Sequence, residues 1–420
     1  MRYFSIFQIL IFSHFSWADG FRREPVFQYD SSYFFYPIAG KVPGLGSSVG
    51  LGATINNLGG TDVDVTAVKM TGDFKVSVFS ILNIHLIKER LIFDMGGYEY
   101  DVATQVFQRG QESHKDDYIL PTVLGRGYFA QLMLQFQDRM IEVYGRTNQS
   151  SNQLLHVYNK DGEKFDNIDT EKKWTVANEV GITLDLTDHR YDPRKGLRME
   201  QLIKLPQKQN DPYLSEFMVI DANVSAFIPV GAQSTWAFNY FQSDAQITKK
   251  SETDEATLRQ QIGMNCSQIP DSTLQSNCAM TENQIINERI AYNKYGRSTP
   301  LGGSQRLRAF PNGRFFAGHT RYVGSEFRWN LNNEKSSFNY LIMKGVRTGF
   351  QLAAFYGQGG VSDEVKNLKL DLKSYGAGAR VILQGGTIFR IDYATGSEGG
   401  QTTVFIDYPW SMNPIDNSSK

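Results

Sequence analysis

The sequence predicts an all-β chain: a transmembrane antiparallel β-barrel of about 16 strands with a long external loop folded into its lumen. Three observations lead there. Apolar and polar residues alternate with a period of two in segment after segment. Compact turns take turns with long polar connections along the chain. A glycine-opened loop with an arginine–aromatic tip, Gly302-Gly303-Ser304-Gln305-Arg306-Leu307-Arg308-Ala309-Phe310, precedes a strand whose charged groups share one face.

At the start of the chain, Arg2, the mostly apolar Tyr3–Phe15 and the small residues around Ser16-Trp17-Ala18 read as a secretory signal, expected over residues 1–18. A short membrane anchor is the alternative, but the apolar run falls well below the ~20 residues a spanning helix needs. No cysteine follows the cleavage site, which argues against a lipoprotein. Residues 19–45 are then expected to be a short periplasmic segment, 46–410 the barrel and 411–420 a polar tail. Transmembrane helices are excluded, since no later run reaches ~18 apolar residues. Basic and acidic residues nearly balance, 43 Lys+Arg against 44 Asp+Glu, so no basic surface for nucleic acid is expected.

The first candidate strand, Gly46–Ala53, is dense in Gly and Ser, which weaken a strand and offer little side-chain interlock. Farther along, Phe74, Val76, Val78, Leu82, Ile84 and Leu86 share one parity, with Lys75, Ser77, Asn83 and His85 opposite. Tyr128, Ala130, Leu132, Leu134 and Phe136 oppose Gln131, Gln135 and Gln137, and Val176, Val180, Ile182, Leu184 and Leu186 oppose Thr175, Glu179, Thr183 and Asp185. The pattern continues through Phe217–Ile228, Trp236–Phe241, Val323–Leu331, Tyr375–Leu383 and Phe389–Thr395. Asn57-Leu58-Gly59-Gly60, Pro229-Val230-Gly231 and Gln384-Gly385-Gly386 read as compact turns at one rim, and 103–120, 148–172 and 243–300 as long loops at the other. A soluble sandwich or propeller would have to bury faces rich in Leu, Phe, Val and Tyr that here suit lipid.

Within the longest loop, Thr281-Glu282-Asn283-Gln284 opens a short capped helix over 281–292. Cys266 and Cys278 lie in the same polar segment, and in an exported chain they are expected to form a disulfide. A metal site would want more ligands, so no metal and no cofactor are expected.

The period-two rule assigns faces. Val323, Phe327, Trp329 and Leu331 point outward, so Glu326, Arg328 and Asn330 point into the lumen. Likewise Arg380 shares a face with Gly376 and Gly378, and Arg390 with Asp392, opposite lipid-facing Tyr375, Val381, Phe389 and Ile391. Charge collected inside avoids the roughly 2–4 kcal/mol that a lipid-facing cation costs near the bilayer midplane. Arg308, carried on its loop, is placed to reach Glu326 in a bidentate pair.

On these residues the chain resembles the BamA/TamA-like outer-membrane assembly and secretion superfamily, whose barrel is also called the bacterial surface antigen domain. Leu307-Arg308-Ala309-Phe310 matches three of the four places of that family's loop motif, with Ala309 where the family has glycine. Glu326 matches the family's glutamate on the next strand. Asp188-His189-Arg190-Tyr191-Asp192-Pro193-Arg194-Lys195-Gly196 looks like the family's hairpin pattern with one residue inserted, through Asp188, Asp192, Pro193 and Gly196. Ser374–Arg380 and Phe389–Ala394 look like its closing strands. In Phe355-Tyr356-Gly357-Gln358-Gly359, Gln358 stands nearest the family's loop-holding aspartate, so the pin of Arg308 and Phe310 is expected to rest on Glu326 alone for charge. The space before the barrel is too short for POTRA domains, so a member lacking them is expected.

No catalytic site is expected. Asp188 with Asp192, or Asp185 with Glu179, sit where turns and lumen networks need them. Ser304 lacks the spacing of a nucleophile elbow, Gly357–Gly360 precede no lysine, and His85, His114, His156 and His319 are scattered. The resemblance implies insertion or translocation of proteins or lipids through a lateral seam between first and last strands, here near Val49 and Phe405. A glycine-rich first strand is equally expected from tight packing against an inner plug. Expected partners are outer-membrane lipids, with unfolded outer-membrane proteins as clients and a separate periplasmic accessory protein. A passive pore or structural barrel that kept the scaffold is the alternative.

Overall fold

The computed structural model describes Arg23, Val26 and residues 31–412, except 160–161, 163, 165–170, 208–212, 264–265, 269, 271, 333–336, 341–342, 384–387 and 411. The expected signal segment 1–18, the expected turn at Gln384–Gly386 and all of the expected tail 411–420 but Met412 lie outside the described residues.

Among the described residues eighteen strands form one sheet with antiparallel pairing throughout. They are β1 Ser32–Val42, β2 Gly46–Asn56, β3 Asp64–Gly72, β4 Phe74–Ile87, β5 Leu91–Ala103 and β6 Val106–Phe107. Next come β7 Tyr118–Phe136, β8 Ile141–Asn159, β9 Lys173–Thr187, β10 Gly196–Lys204, β11 Glu216–Val230 and β12 Ser234–Lys249. The last are β13 His319–Asn330, β14 Ser337–Tyr340, β15 Met343–Ser362, β16 Leu372–Leu383, β17 Ile388–Gly396 and β18 Gly399–Ile406. Short β6 and β14 only extend neighbouring hairpins, and the other sixteen form the wall of a closed barrel. Among the described residues no helix is long and apolar enough to cross a membrane.

The inside is polar and the outside apolar, the reverse of a soluble domain. On β12, Trp236, Phe238 and Tyr240 are exposed while Asn239 and Ser243 are buried; on β9, Val180 and Ile182 are exposed while Thr183 and Asp185 are buried. This is the arrangement the alternation predicts, with the pleat sending successive side chains to opposite faces.

Three boundaries differ from expectation. The wall begins at β1, not near Gly46, so Ser32–Val42 belongs to the barrel rather than to a periplasmic segment. Its aromatic and Pro37-bearing sequence alternates buried and exposed positions, a pattern obscured in the sequence by the aromatic run Tyr33-Phe34-Phe35-Tyr36. The loops expected at 103–120 and 148–172 are partly strand: β7 and β8 run 19 residues each. At ~3.3 Å per residue that is about 60 Å, against an apolar band of about 25 Å. Their polar upper part is held by side-chain pairs that composition does not reveal, including Tyr98 Oη to Asn148 Oδ1 and Tyr100 Oη to Asn152 Oδ1, both 2.7 Å. Finally, the helix in the longest loop spans Ser272–Tyr295, preceded by another at Glu255–Ile262, and the Cys266–Cys278 disulfide joins their connection to the second helix.

The two ends of the sheet meet differently from other wall neighbours. β1 and β2 share eleven registered pairs and β17 and β18 share eight, whereas β1 and β18 share one, Lys41 with Val404. At its other end β1 pairs Tyr33 and Phe34 with Lys344 and Met343 of β15. Between these points, in place of a ladder, Phe34, Tyr36 and Ile38 of β1 pack with Val346, Val381, Leu383, Phe389 and Ile406. The Tyr36 and Phe389 rings meet edge to face at 5.3 Å. Val381 and Phe389 alternate with lumenal Arg380 and Arg390, so β1 overlaps the outer face of the closing strands. These two residues, expected to face lipid, are covered by β1 instead.

Candidate functional site

The loop from Gly302 to Phe310 reaches the lumen as a tight hairpin. Gly302 and Gly303 have φ of +106° and +92°, and a Cβ at Gly302 would stand 2.1 Å from the Pro311 carbonyl oxygen. Only glycine fits such a turn without moving the backbone. Gly303 N–H donates to Phe310 O at 2.9 Å and Phe310 N–H to Leu307 O at 3.0 Å, which closes the tip. Leu301 and Phe315 exchange backbone bonds at its base, and the Phe310 and Phe315 rings pack edge to face at 5.0 Å.

At the tip Arg308 meets two carboxylates. Its Nη2 donates to Glu326 Oε2 on β13 and its Nη1 to Asp392 Oδ2 on β17, each at 2.7 Å, and the guanidinium lies 3.5 Å from the Phe355 ring centroid. Glu326 also accepts from Arg328 Nε at 2.8 Å and from both Nη atoms of Arg380 at 2.8 and 2.7 Å. Arg390 Nη1 donates to Asp392 Oδ2 and to Ser304 O of the loop, both at 2.9 Å. Glu326, Arg390 and Asp392 have no solvent exposure at all. Desolvated charges are tolerable only when paired and hydrogen-bonded in this way.

Four guanidinium groups thus surround two carboxylates, and Arg328 Nη1, Arg380 Nε and Arg390 Nε and Nη2 have no protein partner among the described residues. Ala309 N–H donates to Ser374 Oγ at 3.0 Å, and its methyl group faces Gly396 of β17. A Cβ on Gly396 would come 3.0 Å from Phe310 Cζ and 3.1 Å from Ala309 Cβ. The glycine that the loop motif lacks at Ala309 is matched by one in the wall.

The structure therefore assembles Arg308, Phe310, Glu326, Arg328, Arg380, Arg390 and Asp392 in one place. Gln358 is not among them. Its parity sends it outward beside Tyr356, where its amide donates to Leu370 O. Asp392 supplies the second carboxylate, so Glu326 does not carry the charge alone. Period-two counting turns Asp392 inward; only the pairing of β17 with β16 in the closed wall brings it to the loop.

The Asp188–Gly196 hairpin is built as a turn. Asp188 Oδ1 accepts the Arg194 and Lys195 N–H groups at 2.8 and 2.9 Å, His189 Nδ1 accepts the Asp192 N–H at 2.9 Å, and Gly196 has φ +117° at the start of β10. Asp192 is buried against Arg194 and Arg23, whose side chains lie 3.2 and 3.5 Å from it. Burial works to raise the Asp192 carboxyl, and these two cations with the Tyr408 hydroxyl outweigh it, holding it at about 2.

Two seam expectations part company. Val49 sits in the middle of β2, paired with Ala39 on one side and Thr71 on the other. Its glycine neighbours serve close packing: a Cβ at Gly52 would stand 2.4 Å from the Tyr36 ring, which belongs to β1 and not to an inner plug. Phe405 does lie on the seam strand β18, opposite Arg390. Sequence reasoning also missed the segment after β18. Tyr408, Trp410 and Met412 turn inward and are buried, the latter two in the same apolar cluster as Leu307 and Phe310.

No family model and no curated protein matches the sequence. Among solved structures, CdiB from Escherichia coli is similar at a TM-score of 0.50 and 10% identity, covering 90% of this chain and 62% of that one. CdiB from Acinetobacter baumannii gives 0.50 and 12%, covering 90% and 60%. BamA from Haemophilus ducreyi lacking POTRA domains 1–3 aligns at 0.48 and 14%, over 90% and 70%. The chain spans less than two thirds of the length of either CdiB. At these identities the likeness to the two CdiB structures concerns architecture alone, a closed antiparallel β-barrel.

Proposed function

We propose that this chain works in the bacterial outer membrane, inserting or translocating proteins or lipids through the seam between β1 and β18, with the Arg308 loop as its internal pin. The observation that carries this is the seam itself. The ladders on either side of it hold eleven and eight pairs, while β1 and β18 are joined by Lys41 and Val404 alone, over an apolar overlap. A strand edge with so few main-chain partners is a template for an incoming strand. The resemblance of residues 188–196, 307–310, 326 and 374–394 to an assembly and secretion superfamily supports the same reading. Its clients would be unfolded outer-membrane proteins, delivered with the help of a separate periplasmic protein.

A structural barrel is the second reading, favoured by a lumen filled with the loop and with Trp410 and Met412. A photo-crosslinking residue at Lys41, with Val49 as the control inside the ladder, separates the two in living cells. Capture of several unfolded outer-membrane proteins at Lys41 and not at Val49 supports assembly. Capture of nothing but the chain's own β18 gives the structural barrel the lead.

A further inference from the structure

After β18 the chain leaves the wall and ties itself to the opposite side of the lumen. Asp407 N–H still donates to Ile388 O at 2.8 Å, but Asp407 and Trp410 then take φ of +123° and +77°, which bulky residues rarely adopt. The result is a reversal of direction into the barrel. Tyr408 donates its hydroxyl to Asp192 Oδ1 at 2.6 Å, in the turn between β9 and β10, and lies 3.2 Å from Gln351 Oε1 on β15. Its ring packs under Arg328 and Arg380, 4.2 and 5.1 Å from their guanidinium carbons. Trp410 Nε1 donates to Tyr322 Oη on β13 at 3.2 Å, and Trp410 O accepts from Asn223 Nδ2 on β11 at 2.9 Å. Arg306 of the pinned loop reaches the same carbonyl at 3.4 Å.

β18 is thus the strand with the least to hold it on one edge and the most to hold it from within. On its free side stand one backbone pair with β1 and the apolar overlap. On its lumenal side its continuation is bonded to three other wall strands, one turn and the loop. We propose that Asp407–Trp410 is an internal latch that keeps β18 in the seam and blocks the lumen from the short-turn rim. Release of Tyr408 from Asp192 and of Trp410 from Tyr322 frees the strand edge and the passage together. This rests on the seam reading above and adds the element that controls it.

The test uses the full chain carrying Lys41→Cys and Val404→Cys, whose oxidative crosslink reports a shut seam, with single-channel conductance in planar bilayers as the second readout. In that background Tyr408→Phe removes one hydroxyl, Trp410→Ala removes the indole, and a third variant carries both. The expected result is a severalfold fall in crosslink yield and a stepwise rise in conductance, largest in the double variant. Unchanged yield and conductance in a double variant that still shows the heat-dependent gel mobility of a folded barrel overturns the latch. Should the double variant fail to fold, Tyr408→Phe alone decides: it must raise conductance for the proposal to stand. Neither readout involves client capture, so the latch can stand or fall even in a barrel without assembly activity.

Discussion

Arg308 and Asp392 lie 2.7 Å apart, Nη1 to Oδ2, and with the Glu326 contact on the other side the loop guanidinium bridges β13 and β17. The two strands are not neighbours; β15 and β16 stand between them in the wall. The loop is therefore a strut across the curvature of the barrel, not a flap resting on one strand.

Replacing Arg308 with Ala removes that strut and its stacking on Phe355. Glu326 keeps Arg328 and Arg380, and Asp392 keeps Arg390, so the cost should fall at the low end of what breaking a buried ion pair costs, about 3 kcal/mol. Limited proteolysis checks this: new cleavage near Arg306 is expected. Protection equal to that of the parent protein would show that the loop is held by its apolar contacts.

Glu326→Gln should be worse, near the upper end at about 5 kcal/mol, because Arg308, Arg328 and Arg380 lose their common carboxylate. Adding Arg308→Ala to that variant relieves part of the repulsion. In urea unfolding the double variant should be more stable than the sum of the single losses by more than ~1 kcal/mol. Simple additivity would sink the shared-carboxylate account.

Packing between loop and wall makes a separate prediction. Gly396→Val places side-chain atoms against the Lys373 carbonyl oxygen as well as against Phe310 and Ala309, and should cost about 1–3 kcal/mol, the usual penalty for overpacking. Ala309→Gly, which restores the residue of the motif, should change stability by less than about 1 kcal/mol. A well-tolerated Gly396→Val would mean that the loop tip is not in contact with β17.

Acid should loosen the hairpin. Asp192 has its pKa depressed to about 2, so its contribution is complete above the ordinary aspartate value of 3.8 and is lost as pH falls through 2. The shift is worth about 2 kcal/mol. Comparing parent protein and Asp192→Asn in pH-dependent unfolding, the acid-dependent loss between these two values should be smaller in the variant. His189, Arg194, Arg23 and Tyr408 hold that carboxylate but do not change charge in this window, so parallel curves would show that Asp192 is not the group whose protonation loosens the hairpin.

Much of the barrel is legible in the sequence because period two is a local property. Each residue of a strand such as Trp236–Phe241 or Val323–Leu331 reports its own face, and the lumenal set Glu326, Arg328, Arg380, Arg390 and Asp392 emerges from counting. The illegible part depends on who the neighbour is. Gln358 stands out by likeness to a motif although its parity sends it outward. Val49 looks like an edge because glycine weakens a strand, while Gly52 is there to admit the Tyr36 ring. The upper halves of β7 and β8 look like loops since Asn, Gln and Ser carry no hydrophobic signal, and their order comes from cross-strand bonds to Tyr98 and Tyr100. The inward turn after β18 leaves no periodic trace at all.

The strut also sets an order of events in assembly. Arg308 precedes Glu326 by 18 positions and Asp392 by 84, so one contact is fairly local and the other distant. Chain segments that must wait for remote partners form late, because loop closure comes before the contacts that reward it. The arginine can find Glu326 while the sheet is still an open ribbon, but it meets Asp392 only once β17 has taken its place. A barrel stalled before that step would hold this guanidinium with one of its two carboxylate partners. The second carboxylate thus acts as a completion signal, and a barrel becomes fully stable only when its closing strands have arrived.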